Sequence, residues 1–107
     1  VHSKVSNFMN GAGVSKEVVL DDVWGDFHTY SVEWNAEMIR YFIDDVCYHI
    51  INKGERPDDD WPFVQDNPFY VILNIAVGGS WGGKEGIDKA VFPQRMEVDY
   101  VRVFKRK

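Results

Sequence analysis

Two residues stand in settings that ask for a ligand. Asn74 is the one amide inside the apolar run Phe69-Tyr70-Val71-Ile72-Leu73-Asn74-Ile75-Ala76-Val77. On a strand it shares a face with Ile72 and Ala76, and an amide on an apolar face needs hydrogen-bond partners, either protein groups or a ligand. The next six residues, Gly78-Gly79-Ser80-Trp81-Gly82-Gly83, set four glycines around one large aromatic. That composition makes a flexible, exposed platform more readily than a core element, although a tryptophan packed as a lid or in the core is the plainer alternative.

Other reactive groups are scattered. The three histidines, His2, His28 and His49, lie at unrelated places, and His28 reads as a satisfied structural residue. Cys47 is the sole cysteine, so neither a disulfide framework nor a thiolate metal cluster can form. Its apolar neighbours Val46, Tyr48 and Ile50 predict a buried structural thiol. No Ser/His/Asp signature, Gly-x-Ser-x-Gly elbow, phosphate loop or His/Cys cluster occurs.

The elements that must position Asn74 and Trp81 read as strands. Hydrophobic residues make up 45% of the 107 and aromatics 15%, which excludes disorder and favours one packed β-rich domain over residues 1–107. The net charge of −5 argues against nucleic acid or an anionic membrane as partner, and no apolar stretch approaches spanning length. The spacing predicts strands over residues 1–10, 16–20, 27–34, 38–43, 46–51, 69–77 and 95–104. In the third of these, His28, Tyr30, Val32 and Trp34 take one face and Thr29, Ser31 and Glu33 the other, the pattern of a half-buried antiparallel strand. Asn35-Ala36-Glu37 and Asp44-Asp45 are the turns of a meander, and residues 53–60 read as a solvated acidic loop. Many short strands without long helices indicate an all-β antiparallel sandwich or jelly roll.

Four blocks, in order, carry a resemblance. Phe27-His28-Thr29-Tyr30-Ser31-Val32-Glu33-Trp34, Ile39-Arg40-Tyr41-Phe42-Ile43-Asp44, Pro68 through Trp81, and Phe92 through Phe104 together resemble glycoside hydrolase family 16, in particular its laminarinase-like endo-β-1,3-glucanases. The likeness covers residues 27–105 well and 1–26 loosely. It implies a concanavalin-like β-jelly roll, of which this chain is a partial domain, with a concave face that binds β-glucan polysaccharide or oligosaccharide. It also implies retaining hydrolysis by two glutamates on one strand, in a Glu-x-Asp-x-(x)-Glu motif that holds the carboxyls about 5–5.5 Å apart. A secreted, cell-surface or periplasmic location follows from the same likeness.

The motif is not in this sequence. Glu97-Val98-Asp99 comes nearest, but Val101 and Arg102 stand where the third carboxylate belongs. No catalytic residue is therefore assigned here, and the chain reads as the C-terminal half of such a domain. The resemblance assigns substrate contact to Trp81, Asn74, His2 and Asn7. It places Asp99 as a ligand of a structural calcium, with no cofactor for catalysis. Asp45 replaces a usual hairpin glycine, and Gly82 a usual proline after Trp81. A non-catalytic, lectin-like β-glucan-binding module is the rival reading. Half a jelly roll leaves sheet edges unpaired, which predicts self-association or pairing with the missing half.

Overall fold

The computed structural model describes residues 13–57, 60–64 and 66–106. The chain forms two compact units, Val1–Phe69 and Tyr70–Lys107. Among the described residues of the first, three strands form an antiparallel sheet in the order β1-β2-β3: β1 Tyr30–Trp34, β2 Met38–Ile43 and β3 Val46–Asn52.

The turns explain the register. The Asn35 side-chain oxygen accepts hydrogen bonds from the amides of Glu37 (2.8 Å) and Met38 (2.9 Å), which folds β1 back on β2 and pairs Trp34 with Ile39. The second hairpin closes through Asp44 and Asp45, whose φ values of 48° and 66° are those of a type I′ turn. Two left-handed aspartates are an unusual choice there, since the turn favours Asn-Gly or Asp-Gly. Replacing Asp45 with Gly should therefore stabilise the hairpin by about 0.5–1 kcal/mol in a urea melt, and an unchanged or lower midpoint would show that Asp45 is unstrained.

Alternation sorts the side chains. Trp34, Val32 and Tyr30 stand opposite Ile39, Tyr41 and Ile43, and Ile51 and His49 continue that face on β3. Tyr48 is the extra residue of a bulge, because Tyr41 pairs with His49 while Phe42 pairs with Cys47. Ile39, Ile51 and Trp61 form the buried cluster, with Val14, Tyr41 and Phe63 packed on it. Each such burial contributes about 1.5–3 kcal/mol. Phe63 joins Trp61 edge-on at 5.2 Å and stacks on Phe69 at 5.0 Å, carrying the cluster toward Trp34.

Several expectations are corrected. β1 is exposed along its whole length rather than half-buried, because the aromatic cluster reaches only Trp34 at its end. Cys47 is exposed. It pairs with Phe42 on the face opposite the Ile39–Ile51 cluster, so its apolar sequence neighbours do not bury it. The acidic stretch 53–60 is not all solvated. Lys53–Glu55 form a short 3-10 turn, and Asp60 is buried in an ion pair with Arg56.

The runs at 16–20, 69–77 and 95–104 carry no ladder. A strand exists only where a neighbour takes its hydrogen bonds, and β1 to β3 find theirs through short turns. Among the described residues no segment pairs with these runs, and their apolar side chains, Ile72, Leu73, Val103 and Phe104 among them, are exposed. Among the described residues no helix is long and apolar enough to cross a membrane.

Candidate ligand-binding site

The glycine-rich segment of the second unit folds as a single helical turn, α1, over Gly79–Gly82. Gly78 and Gly79 enter it with φ of 73° and 80°, a backbone that residues with a Cβ rarely adopt. At Gly78 there is also a spatial reason, since a Cβ there would lie 2.8 Å from Ile87 Cδ1. The turn is closed by the Gly83 amide donating to the Gly79 carbonyl at 3.1 Å. Trp81 projects from this turn and is 90% exposed.

Beside the turn lies an open cavity of about 290 Å³. Its apolar walls include Ile75, Val77, Ile87 and Phe92, and its polar rim Asp88 and Gln94. Asp88 Oδ1 accepts from the Ala90 amide at 2.8 Å and so starts the 3-10 turn Lys89–Val91, while the Gln94 side-chain amide donates to the Val91 carbonyl. Neither rim residue stands out in the sequence as a site residue. The usable signal is Asp88 alone, as a helix-capping residue type ahead of Lys89-Ala90-Val91.

Of the sequence-assigned residues, Trp81 and Asn74 are both exposed, and both flank the cavity in sequence without lining it. Asn74 has no hydrogen bond among the described residues, which leaves its amide donors and acceptors for another group. His2 and Asn7 lie outside the described residues. Asp99 is exposed, and among the described residues no group of three or more His, Cys, Asp or Glu side chains gathers anywhere. One carboxylate falls well short of the six to eight oxygens that calcium takes, so the residues described do not by themselves fit that ion.

The first unit holds a second cleft of about 220 Å³, between Val14, Ser15, Lys16, Tyr41, Tyr48 and His49. His49 stacks on Tyr41 at 5.7 Å. Burial holds its pKa below the ordinary histidine value, and the nearby Lys16 ammonium also opposes the cation. A neutral imidazole against two tyrosines is packing chemistry, and among the described residues no partner is placed for acid or base work.

His28, the structural histidine of the sequence reading, is indeed satisfied at both ring nitrogens. Nδ1 lies 2.7 Å from Asp44 Oδ2, and Nε2 lies 2.7 Å from the Asp22 carbonyl.

Comparison with known proteins fits this picture. The family model for glycosyl hydrolases family 16 matches residues 2–102. A beta-glucanase of Rhodothermus marinus is 41% identical over 110 residues, covering 98% of this chain and 38% of that protein. A glucan endo-1,3-beta-glucosidase A1 of Niallia circulans is 36% identical over 86 residues, 75% of this chain and 12% of that protein. A keratan-sulfate endo-1,4-beta-galactosidase of Sphingobacterium multivorum is 34% identical over 105 residues, 97% of this chain and 24% of that protein. The chain thus spans well under half the length of each of these relatives. No solved structure matches it. With nearly the whole chain inside the family model, the chain belongs to glycosyl hydrolases family 16.

Proposed function

We propose that the chain is part of a β-glucan hydrolase of the endo-β-1,3-glucanase type, in which it supplies one wall of a retaining glycosidase cleft. The observation that carries this is Trp81, presented almost fully to solvent on a glycine-framed turn. An indole held that way offers its face to the flat apolar face of a pyranose ring. Asn74 supplies donors and acceptors suited to sugar hydroxyls, and His2 and Asn7 add further contacts. The beta-glucanase and glucan endo-1,3-beta-glucosidase names of two relatives favour a glucan over the keratan sulfate named for the third. Bond cleavage is assigned to two glutamates outside these 107 residues, because the Glu-x-Asp-x-(x)-Glu motif is not among them. A calcium ion at Asp99 would likewise draw most of its oxygens from elsewhere.

That missing motif also favours a second reading, a non-catalytic β-glucan-binding module. The two are separated on insoluble β-1,3-glucan and on laminarin. The expected result is retention of the chain on the insoluble polymer, weakened about tenfold in Trp81→Ala, which corresponds to about 1.4 kcal/mol. Equal retention of the variant would remove Trp81 from the site. Release of reducing sugar from laminarin by the full-length protein supports the hydrolase, whereas binding without release supports the module. Hydrolysis by the 107 residues alone would overturn the assignment of catalysis elsewhere.

A further inference from the structure

His28 has a role that carbohydrate binding does not use. Its two ring nitrogens face two acceptors, the Asp44 carboxylate and the Asp22 main-chain carbonyl, each at 2.7 Å. Neither oxygen can donate, so both nitrogens must, and the ring that satisfies this geometry is the imidazolium. The residue joins two segments that no ladder connects: the loop of residues 21–26, and the Asp44-Asp45 turn between β2 and β3.

We propose that His28 is a proton-operated clasp that holds the loop of residues 21–26 against the β2–β3 hairpin turn and lets it go when the ring loses a proton.

The local structure makes one end of the clasp firmer than the other. Asp44 is fixed by three contacts: its Oδ2 to His28, its Oδ1 to the Thr29 amide at 2.9 Å, and its own amide to the Thr29 carbonyl at 2.9 Å. The loop is ordered within itself by Asp22 Oδ1, which accepts from the Gly25 amide at 2.8 Å, but His28 Nε2 ties its Asp22 carbonyl across to the hairpin. A neutral ring keeps one N–H. The charge-assisted bond to the Asp44 carboxylate is the stronger, so the proton stays on Nδ1 and bare Nε2 then faces the Asp22 carbonyl, lone pair against lone pair. The loop end must open.

The surrounding charges favour the protonated ring. From the loop come Asp22, through its carbonyl, and the Asp26 carboxylate; from the hairpin comes Asp44. The His28 pKa is raised, first by the bond to the Asp22 carbonyl and then by the bond to Asp44, with burial opposing and the carboxylates of Asp44 and Asp26 adding to the rise. The Asp44 pKa is lowered, first by the bond to His28 and then by the Thr29 amide. For the histidine, stability from the pair is fully present below the ordinary 6.5 and is lost as pH rises through its raised folded value. For the aspartate, it is present above the ordinary 3.8 and is lost as pH falls through its lowered folded value. The clasp is closed between these limits and opens on the alkaline side.

The test follows the ring and the loop together in the full chain. The His28 ring protons are titrated by NMR, and hydrogen exchange of the amides of residues 21–26 is measured at pH values from about 5 to 9. The expected result is a His28 midpoint above 6.5, with loop exchange, corrected for its intrinsic pH dependence, rising through the same midpoint. In Asp44→Asn, which keeps a residue tolerant of the left-handed turn, both midpoints should fall together toward the ordinary histidine value. A His28 midpoint at or below 6.5, or loop protection that does not change across the titration, would overturn the proposal from the unmodified protein alone.

Discussion

Asp60→Asn should lower the stability of the first unit by about 3–5 kcal/mol, the largest single-residue effect we expect in this chain. Asp60 and Arg56 are paired four residues apart, with side chains 0% and 6% exposed. Neither charge has water to fall back on. Removing the carboxylate takes from the buried Arg56 guanidinium the charged partner it has among the described residues, and that desolvation, more than the lost attraction, sets the magnitude. The measurement is a urea or thermal melt, in which such a loss moves the midpoint by several degrees per kcal/mol. A double replacement, Arg56→Met with Asp60→Leu, should recover most of the loss, because two apolar side chains of similar size carry no desolvation cost. A single-variant loss below about 1 kcal/mol would mean that the pair is wetter than its burial indicates.

Gly78→Ala should cost about 1–3 kcal/mol and displace the Trp81 turn. Two effects combine at this position. With φ of 73° and ψ of −130°, the residue lies in a region open essentially to glycine, and a Cβ would approach Ile87 Cδ1 to 2.8 Å. Gly79→Ala separates the two effects. Its φ of 80° is equally unfavourable, but nothing lies within 4 Å of its Cβ. The backbone cost should therefore appear in both variants and the contact with Ile87 only in the first. Because Cδ1 is the far end of a flexible side chain, the contact is the smaller part, and Ile87→Ala should relieve it in the Gly78→Ala background. Glucan retention should weaken in parallel with the displacement of Trp81. A Gly78→Ala variant that melts and binds like the parent would show that the left-handed entry is not required.

Where the sequence was legible, the information was local. The meander of β1 to β3 follows from alternating side chains joined by turn residues a few positions away, and its second hairpin starts and stops at the residues that Asp44-Asp45 dictates. The left-handed strain at Asp45 was readable because only a few residue types tolerate that backbone. The glycine-framed exposure of Trp81 was readable for the same reason, since four glycines near one aromatic encode backbone freedom directly.

Other features depend on neighbours that are distant in sequence. Cys47 looked buried from its apolar flanks, but which sheet face it takes depends on the bulge at Tyr48, one residue of slip that periodicity does not reveal. The acidic run ending at Asp60 looked solvated, because composition cannot show that Arg56 turns inward with one of those carboxylates. The runs at 69–77 and 95–104 have the pattern of strands without a ladder, since a pattern specifies a face and only a partner specifies a sheet. The amino-acid sequence by itself determined the family, the all-β class and the hairpins. Tertiary structure alone decided that the Arg56–Asp60 pair is buried, that Cys47 is exposed, and that both nitrogens of His28 face oxygen acceptors. Each of these depends on which atoms meet across space, and the free energy of a charge, a thiol or a proton is set by that meeting.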